Sequence, residues 1–166
     1  CHSNEIWKRN GKTIPQNKSH QKFGGLIFEQ CLNKCIIAPS TVVAHKNIFY
    51  DVGLFDESIK ICEDYEMWLR ITAKYKVGFN PKELITKYGG HSDQLSNVQE
   101  GIEYYHIQAL EKLLNKKIFI GSKFTMTKKM LIEKLKIYLH GLEKRERMDQ
   151  VLKYKEKIIF WENFNE

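Results

Sequence analysis

Cys62-Glu63-Asp64-Tyr65-Glu66-Met67-Trp68-Leu69-Arg70 sets two carboxylates side by side where a loop becomes a helix. From Tyr65, residues suited to burial recur at Trp68, Leu69 and Thr72, a helical rhythm that marks one face as buried. Glu63 and Asp64 therefore fall in or just before the first turn, where unpaired backbone amides favour negative charge. A carboxylate held there can accept a proton or a hydrogen bond, which suits a general base. The same residues also cap helices and complement their dipoles with no chemistry attached, and spacing by itself does not separate the two readings.

Upstream, the chain reads as short elements that deliver this helix. His2 to Trp7 reads as a strand before a turn at Asn10-Gly11, a strong turn signal, after which Lys12-Thr13-Ile14 can pair back. There is no initiator Met, and a start inside a strand suggests a chain cut from a longer one. Pro15 to Gly25 is a polar, basic loop in which Lys18, His20 and Lys22 would attract a phosphate or a sugar acid, although solvation explains them equally well. Leu26 to Cys35 reads as a short helix. The β-branched run Thr41-Val42-Val43-Ala44 gives Ile36 to Ala44 the look of a buried strand interrupted by Pro39-Ser40. His45 to Val52 reads as a second short helix closing on Gly53.

Downstream, Tyr75 to Phe79 and Glu83 to Tyr88 read as two strands separated by Asn80-Pro81. The loop Gly89-Gly90-His91-Ser92-Asp93-Gln94-Leu95-Ser96 is crowded with hydrogen-bonding side chains. Its glycines let a backbone approach a ligand, and His91 can bind a metal or a phosphate oxygen or serve simply as a turn residue. Ser96 with Gln99 is a capping-box pattern for a helix to about Leu114. A second helix is expected from about Thr125 to His140, stopping near Gly141, and a third takes in Val151, Tyr154, Ile158 and Trp161. These helices are amphipathic with basic outer faces, which fits packing against one another or peripheral contact with a membrane surface.

A chain of 166 residues with 42% hydrophobic and 28% charged residues has a globular composition. No apolar run approaches the roughly 20 residues that span a bilayer, and the first residues do not resemble a signal peptide. The reading is a cytoplasmic protein, with the inner face of the membrane as its place of contact if it has one. The net charge of +7 is carried by scattered lysines. It is compatible with anionic partners, but no Arg/Lys cluster interleaved with aromatics occurs in the first hundred residues, which argues against nucleic acid. The four cysteines form no CxxC pair and no zinc spacing with histidine, so they read as reduced core residues.

The order of elements, the block Val52-Gly53-Leu54-Phe55-Asp56-Glu57 and the block Cys62 to Arg70 together resemble glycosyltransferase family 2, over roughly His2 to Ser96. The resemblance implies an α/β fold: the C-terminal, acceptor-side part of a GT-A-like mixed sheet with flanking helices over 1–98, followed by a helical extension over 99–166. It implies sugar transfer from a nucleotide-diphosphate donor, with inversion, to a glycan or lipid-linked acceptor. Asp64 would be the general base and Glu63 would help to position it, with Trp68 and Leu69 anchoring the helix. His91 would stand near the donor diphosphate, and Gln94, Ser96 and Trp7 complete the substrate-binding candidates. His91 is also the one metal-ligand candidate. The family's Asp-x-Asp motif, which holds Mg²⁺ or Mn²⁺ against the diphosphate, occurs nowhere in the chain. The chain thus reads as the acceptor half of an enzyme, inactive by itself. The alternative is a non-catalytic binding or scaffolding module derived from that half.

Overall fold

The computed structural model describes residues 1–90 and 100–166. The chain forms two compact units, Cys1–Gln99 and Glu100–Glu166. The first is mixed α/β and the second is helical.

In the first unit, β1 (His2–Arg9) lies between β2 (Lys12–Ile14) and β3 (Phe79–Gly89), giving the strand order β2-β1-β3. The β1–β2 pair is an antiparallel hairpin whose turn residues Asn10 and Gly11 both have positive φ, 50° and 74°. Such a turn twists with the strands, and Asn-Gly tolerates it at least cost. The β1–β3 pair is parallel. The two strands expected on either side of Asn80-Pro81 are one strand. Pro81 cannot donate to the ladder, and the register slips between Ser3 and Glu5 of β1, opposite it, instead of the strand ending. Before Phe79, Val77 makes only an isolated bridge to Gly25.

Between the strands run three helices: α1 (Phe28–Asn33), α2 (Asn47–Val52) and α3 (Glu63–Lys74). Helix α1 is shorter than its sequence pattern, so Cys35 lies outside it. Helix α2 closes on Gly53, φ 88°, whose N–H bonds Phe49 O at 3.0 Å. The strand expected over Ile36 to Ala44 does not form. Pro39–Thr41 is a 3-10 turn with Pro at its start, and the Thr41 hydroxyl donates to Ala38 O at 2.8 Å. Val43, taken for an interior residue, is 73% exposed. Proline at the first helical position outweighs the β-branched run that follows it.

Helix α3 is buried from Tyr65 to Arg70 and again at Thr72, a wider face than the stripe read from its spacing. Trp68 and Leu69 are both in the core, and the Tyr65 hydroxyl donates to Leu32 O of α1 at 2.6 Å.

The second unit is built from α4 (Ile102–Asn115), α5 (Gly121–Lys144) and α6 (Met148–Asn163). Leu110, Leu113, Leu131, Leu135, Leu142, Val151 and Trp161 form its core. Glu111 of α4 accepts from Lys157 at 2.6 Å and from the Trp161 indole at 3.1 Å, tying α4 to α6. Helix α4 begins after Gly101, while the capping box of Ser96 and Gln99 lies outside the described residues. Gly141, expected to stop the second helix, sits inside it, because Leu142, Glu143 and Lys144 keep the helical pattern running for three more residues and Leu142 is buried. Among the described residues no helix is long and apolar enough to cross a membrane.

Candidate active site

Asp64 sits in the first turn of α3, behind Cys62, whose left-handed backbone (φ 66°) turns the chain into the helix. Its Oδ1 accepts the Tyr65 N–H at 2.7 Å, and its Oδ2 accepts the Cys35 thiol at 3.4 Å. Burial, and then the Asp64 charge beside it, push the Cys35 thiol far up, so it stays protonated and remains a donor. These two bonds orient the carboxylate and leave it with accepting capacity, since an ionised carboxylate has about four lone-pair sites.

Asp64 opens onto a cleft of about 210 Å³ on one face of the sheet. Glu5 and Trp7, two apart on β1, face it together. Lys87, paired with Trp7 across the parallel ladder, joins them and sets its ammonium 5.6 Å from the centre of the Trp7 ring. Lys22, His20, Cys35 and the Ala38-Pro39 turn complete the wall. A second hollow, of about 220 Å³, is lined chiefly by apolar side chains, among them Val42, Val43, Ile48, Trp68 and Ile71, and has no carboxylate in its wall.

The electrostatics of the first cleft are unusual. Glu5 is 2% exposed and Lys22 8% exposed, with Lys22 Nζ 3.4 Å from Glu5 Oε1. That oxygen also accepts the Trp7 indole N–H at 2.8 Å. Burial lowers the Lys22 ammonium from its ordinary value, and Glu5 pulls it partly back. His20 is likewise lowered, first by burial and then by Lys34, whose Nζ donates to His20 Nε2 at 2.9 Å. The neutral His20 ring stands edge-on to Trp7 with centroids 4.9 Å apart.

Of the residues singled out in the sequence, Asp64, Trp7, His20 and Lys22 therefore line one cleft, and Lys18 is not part of its wall. Glu63 lies in the same first turn, half-buried, and is not part of the cleft wall. His91, Gln94 and Ser96 lie outside the described residues. The reading missed Glu5, Cys35 and Lys87, and it took Lys22 for a loop residue without foreseeing its burial. Period-two alternation links Glu5 to Trp7 and could have flagged it, whereas Lys22 lies in a polar stretch that gives no sign of burial. None of the cysteines is in a disulfide; Cys31 and Cys62 are buried, Cys35 is half-buried, and Cys1 is exposed instead of in the core.

Among the described residues no group of three His, Cys, Asp or Glu is placed to hold a metal ion. The Asp-x-Asp through which the family resemblance implies that Mg²⁺ or Mn²⁺ is held is missing from the sequence, and His91, the one metal-ligand candidate, lies outside the described residues.

Comparison with known proteins gives short matches. An "Uncharacterized glycosyltransferase" of Rickettsia felis and another of Rickettsia conorii are each 37% identical to this chain over 62 residues, which is 37% of this chain and 10% of the relative. The chain thus spans about a tenth of the length of these curated relatives. No family model matches the chain, and no solved structure matches it. The matched segment supports a relationship to glycosyltransferases.

Proposed function

We propose that this chain supplies the acceptor side of an inverting glycosyltransferase of family 2 with a GT-A fold, and that Asp64 is its general base. The observation that carries the reading is the Asp64 carboxylate, oriented by Tyr65 N–H and the Cys35 thiol and open to the cleft that Trp7 also lines. The relatives' names point to the same reaction class.

On this reading the acceptor hydroxyl lies against Asp64. As its oxygen attacks the anomeric carbon of the donor, the proton passes to Asp64, the bond from that carbon to the diphosphate oxygen breaks, and the nucleoside diphosphate leaves with the electron pair. Attack from the face opposite the leaving group inverts the anomeric centre. Glu63 acts by helping to position the turn that carries Asp64. His91, Gln94 and Ser96 are assigned to the donor side by the resemblance. An Mg²⁺ or Mn²⁺ ion would be held by carboxylates of a donor-binding half, since this chain has no Asp-x-Asp. The acceptor is a glycan or a lipid-linked saccharide.

The stereochemistry of the product tests this mechanism. A protein joining this chain to a donor-binding half, given an α-linked nucleotide-sugar, should form a β-linked product, read from the anomeric proton coupling by NMR. An α-linked product would require a different arrangement of groups around the anomeric carbon and would remove Asp64 from the role of base.

A further inference from the structure

The buried Glu5–Lys22 pair leaves two polar atoms unmatched. Glu5 Oε2 and Lys22 Nζ are both out of solvent; Glu5 Oε2 has no hydrogen-bond partner and Lys22 Nζ has only its long 3.4 Å contact with Glu5 Oε1, although both residues line the cleft that Asp64 faces. Buried polar groups in folded proteins are almost always satisfied, and a buried ion pair is stable only when its remaining donors and acceptors are matched. The two unmatched functions are complementary, one accepting and one donating. An anion placed here would meet Glu5 and Asp64, and a cation would meet Lys22 and Lys87. A neutral group that both donates and accepts through neighbouring atoms meets neither penalty, and a vicinal diol is that group. The cleft, at about 210 Å³, is several times the roughly 30 Å³ share of one water. The Trp7 ring supplies an apolar wall beside the polar pair, as the C–H face of a sugar ring needs.

We infer that the cleft is a saccharide subsite in which one ring hydroxyl of an uncharged sugar donates to Glu5 Oε2 and its neighbour accepts from Lys22 Nζ, against the side of Trp7. This names the acceptor end for the reaction proposed above and rests on that reading. Glu5 and Lys22 are then specificity residues that choose a neutral sugar over a phosphorylated or acidic one. Glu5 holds the Lys22 amino group in place at 3.4 Å, so their pairing matters for binding as well as for folding.

The test uses the 166-residue chain without donor. The indole N–H signals of Trp7, Trp68 and Trp161 are followed by NMR during titration with methyl glycosides of glucose, galactose, mannose and N-acetylglucosamine, and separately with inorganic phosphate. At least one glycoside should move the Trp7 signal saturably while leaving Trp161 in place. Saturation of the Trp7 ring protons should transfer to that sugar. Binding should weaken by about tenfold or more in Glu5→Gln, an isostere that turns the acceptor into a donor, and in the double variant Glu5→Gln/Lys22→Met. Trp68 and Trp161 signals report whether each variant is folded, and the transfer experiment on the unaltered chain stands without any variant. No response of Trp7 to any glycoside, a response unchanged by folded Glu5→Gln, or a response to phosphate in place of sugar would each overturn the inference. Because donor is absent, none of these results bears on Asp64 as base, which has its own assay.

Discussion

The Arg70 guanidinium donates from Nε to Glu66 Oε1 at 2.9 Å and from Nη2 to Glu66 Oε2 at 2.8 Å, a fork-on-carboxylate pairing one helical turn apart. It also reaches the carbonyls of Val52 and, at 2.9 Å, Leu54, so one buried side chain fixes the end of α2 and the following loop to the helix that carries Asp64. Gly53 fits under this fork, since an added Cβ would stand 3.4 Å from Arg70 Nη1 at a backbone φ of +88°. Removing one partner of a buried pair strands the other charge, so Arg70→Met should lower the unfolding free energy by about 3 kcal/mol in urea denaturation. Arg70→Lys should recover only part of that loss, because an ammonium cannot make the fork. A loss within a few tenths of a kcal/mol would mean that the carbonyl contacts are not carrying the loop. The thiols give a second check at the same scale. Burial pushes the Cys31 thiol up to about 12. With a thiol reagent at neutral pH, Cys1 should react fast, and Cys31 and Cys62 only on unfolding. Rapid labelling of all four in the native protein would contradict the described core.

Among the elements, the helical unit carries the clearest pH signature. Glu103 in the first turn of α4 faces the His106 ring and the Lys134 ammonium, which lies 2.9 Å away and is 3% exposed. These two donors hold the Glu103 carboxyl down at about 2 from an ordinary 4.5, against the opposing effect of its partial burial. A carboxyl whose folded value is depressed stabilises the fold above its unfolded value, and that contribution is lost as pH falls through the window from about 4.5 to about 2. The helical unit should therefore melt at lower temperature as pH drops through this window, followed by circular dichroism. Glu103→Gln should flatten that dependence, and an unchanged slope would assign it to other carboxylates. Periodicity made most of these elements legible. The hairpin at Asn10-Gly11, the helix opening at Glu63 and the cores of the three long helices all follow from local pattern, because local pattern decides them. The failures occur at Pro39, which starts a 3-10 turn inside a strand-like run, and at Pro81, where a bulge rather than a break absorbs the missing N–H. At both prolines the outcome depends on what the neighbouring strand or helix offers, which sequence spacing does not contain. The same holds for the site. Asp64 and Trp7 stood out by type and position, whereas Lys22 becomes a cleft residue only because Glu5, far from it in sequence, is buried beside it.

On the scale of the whole molecule, two units divide the labour. Cys1–Gln99 carries the sheet, the acidic helix and the cleft, and Glu100–Glu166 is a helical unit with its own apolar core. The likeness to two Rickettsia glycosyltransferases covers 37% of the chain, so the proposed reaction rests on the chemistry of the cleft, and there on one carboxylate. The most direct test replaces Asp64 by Asn in a protein that joins this chain to a donor-binding half, and measures kcat for sugar transfer alongside the affinity for donor nucleotide. The amide keeps the shape and the bond from Tyr65 N–H but cannot take a proton from the acceptor. Transfer should fall by about 10²- to 10⁴-fold, the range a positioned acid or base supplies, while nucleotide affinity stays nearly constant. Turnover equal to that of the unaltered protein would contradict the account, since the proton would then have another destination.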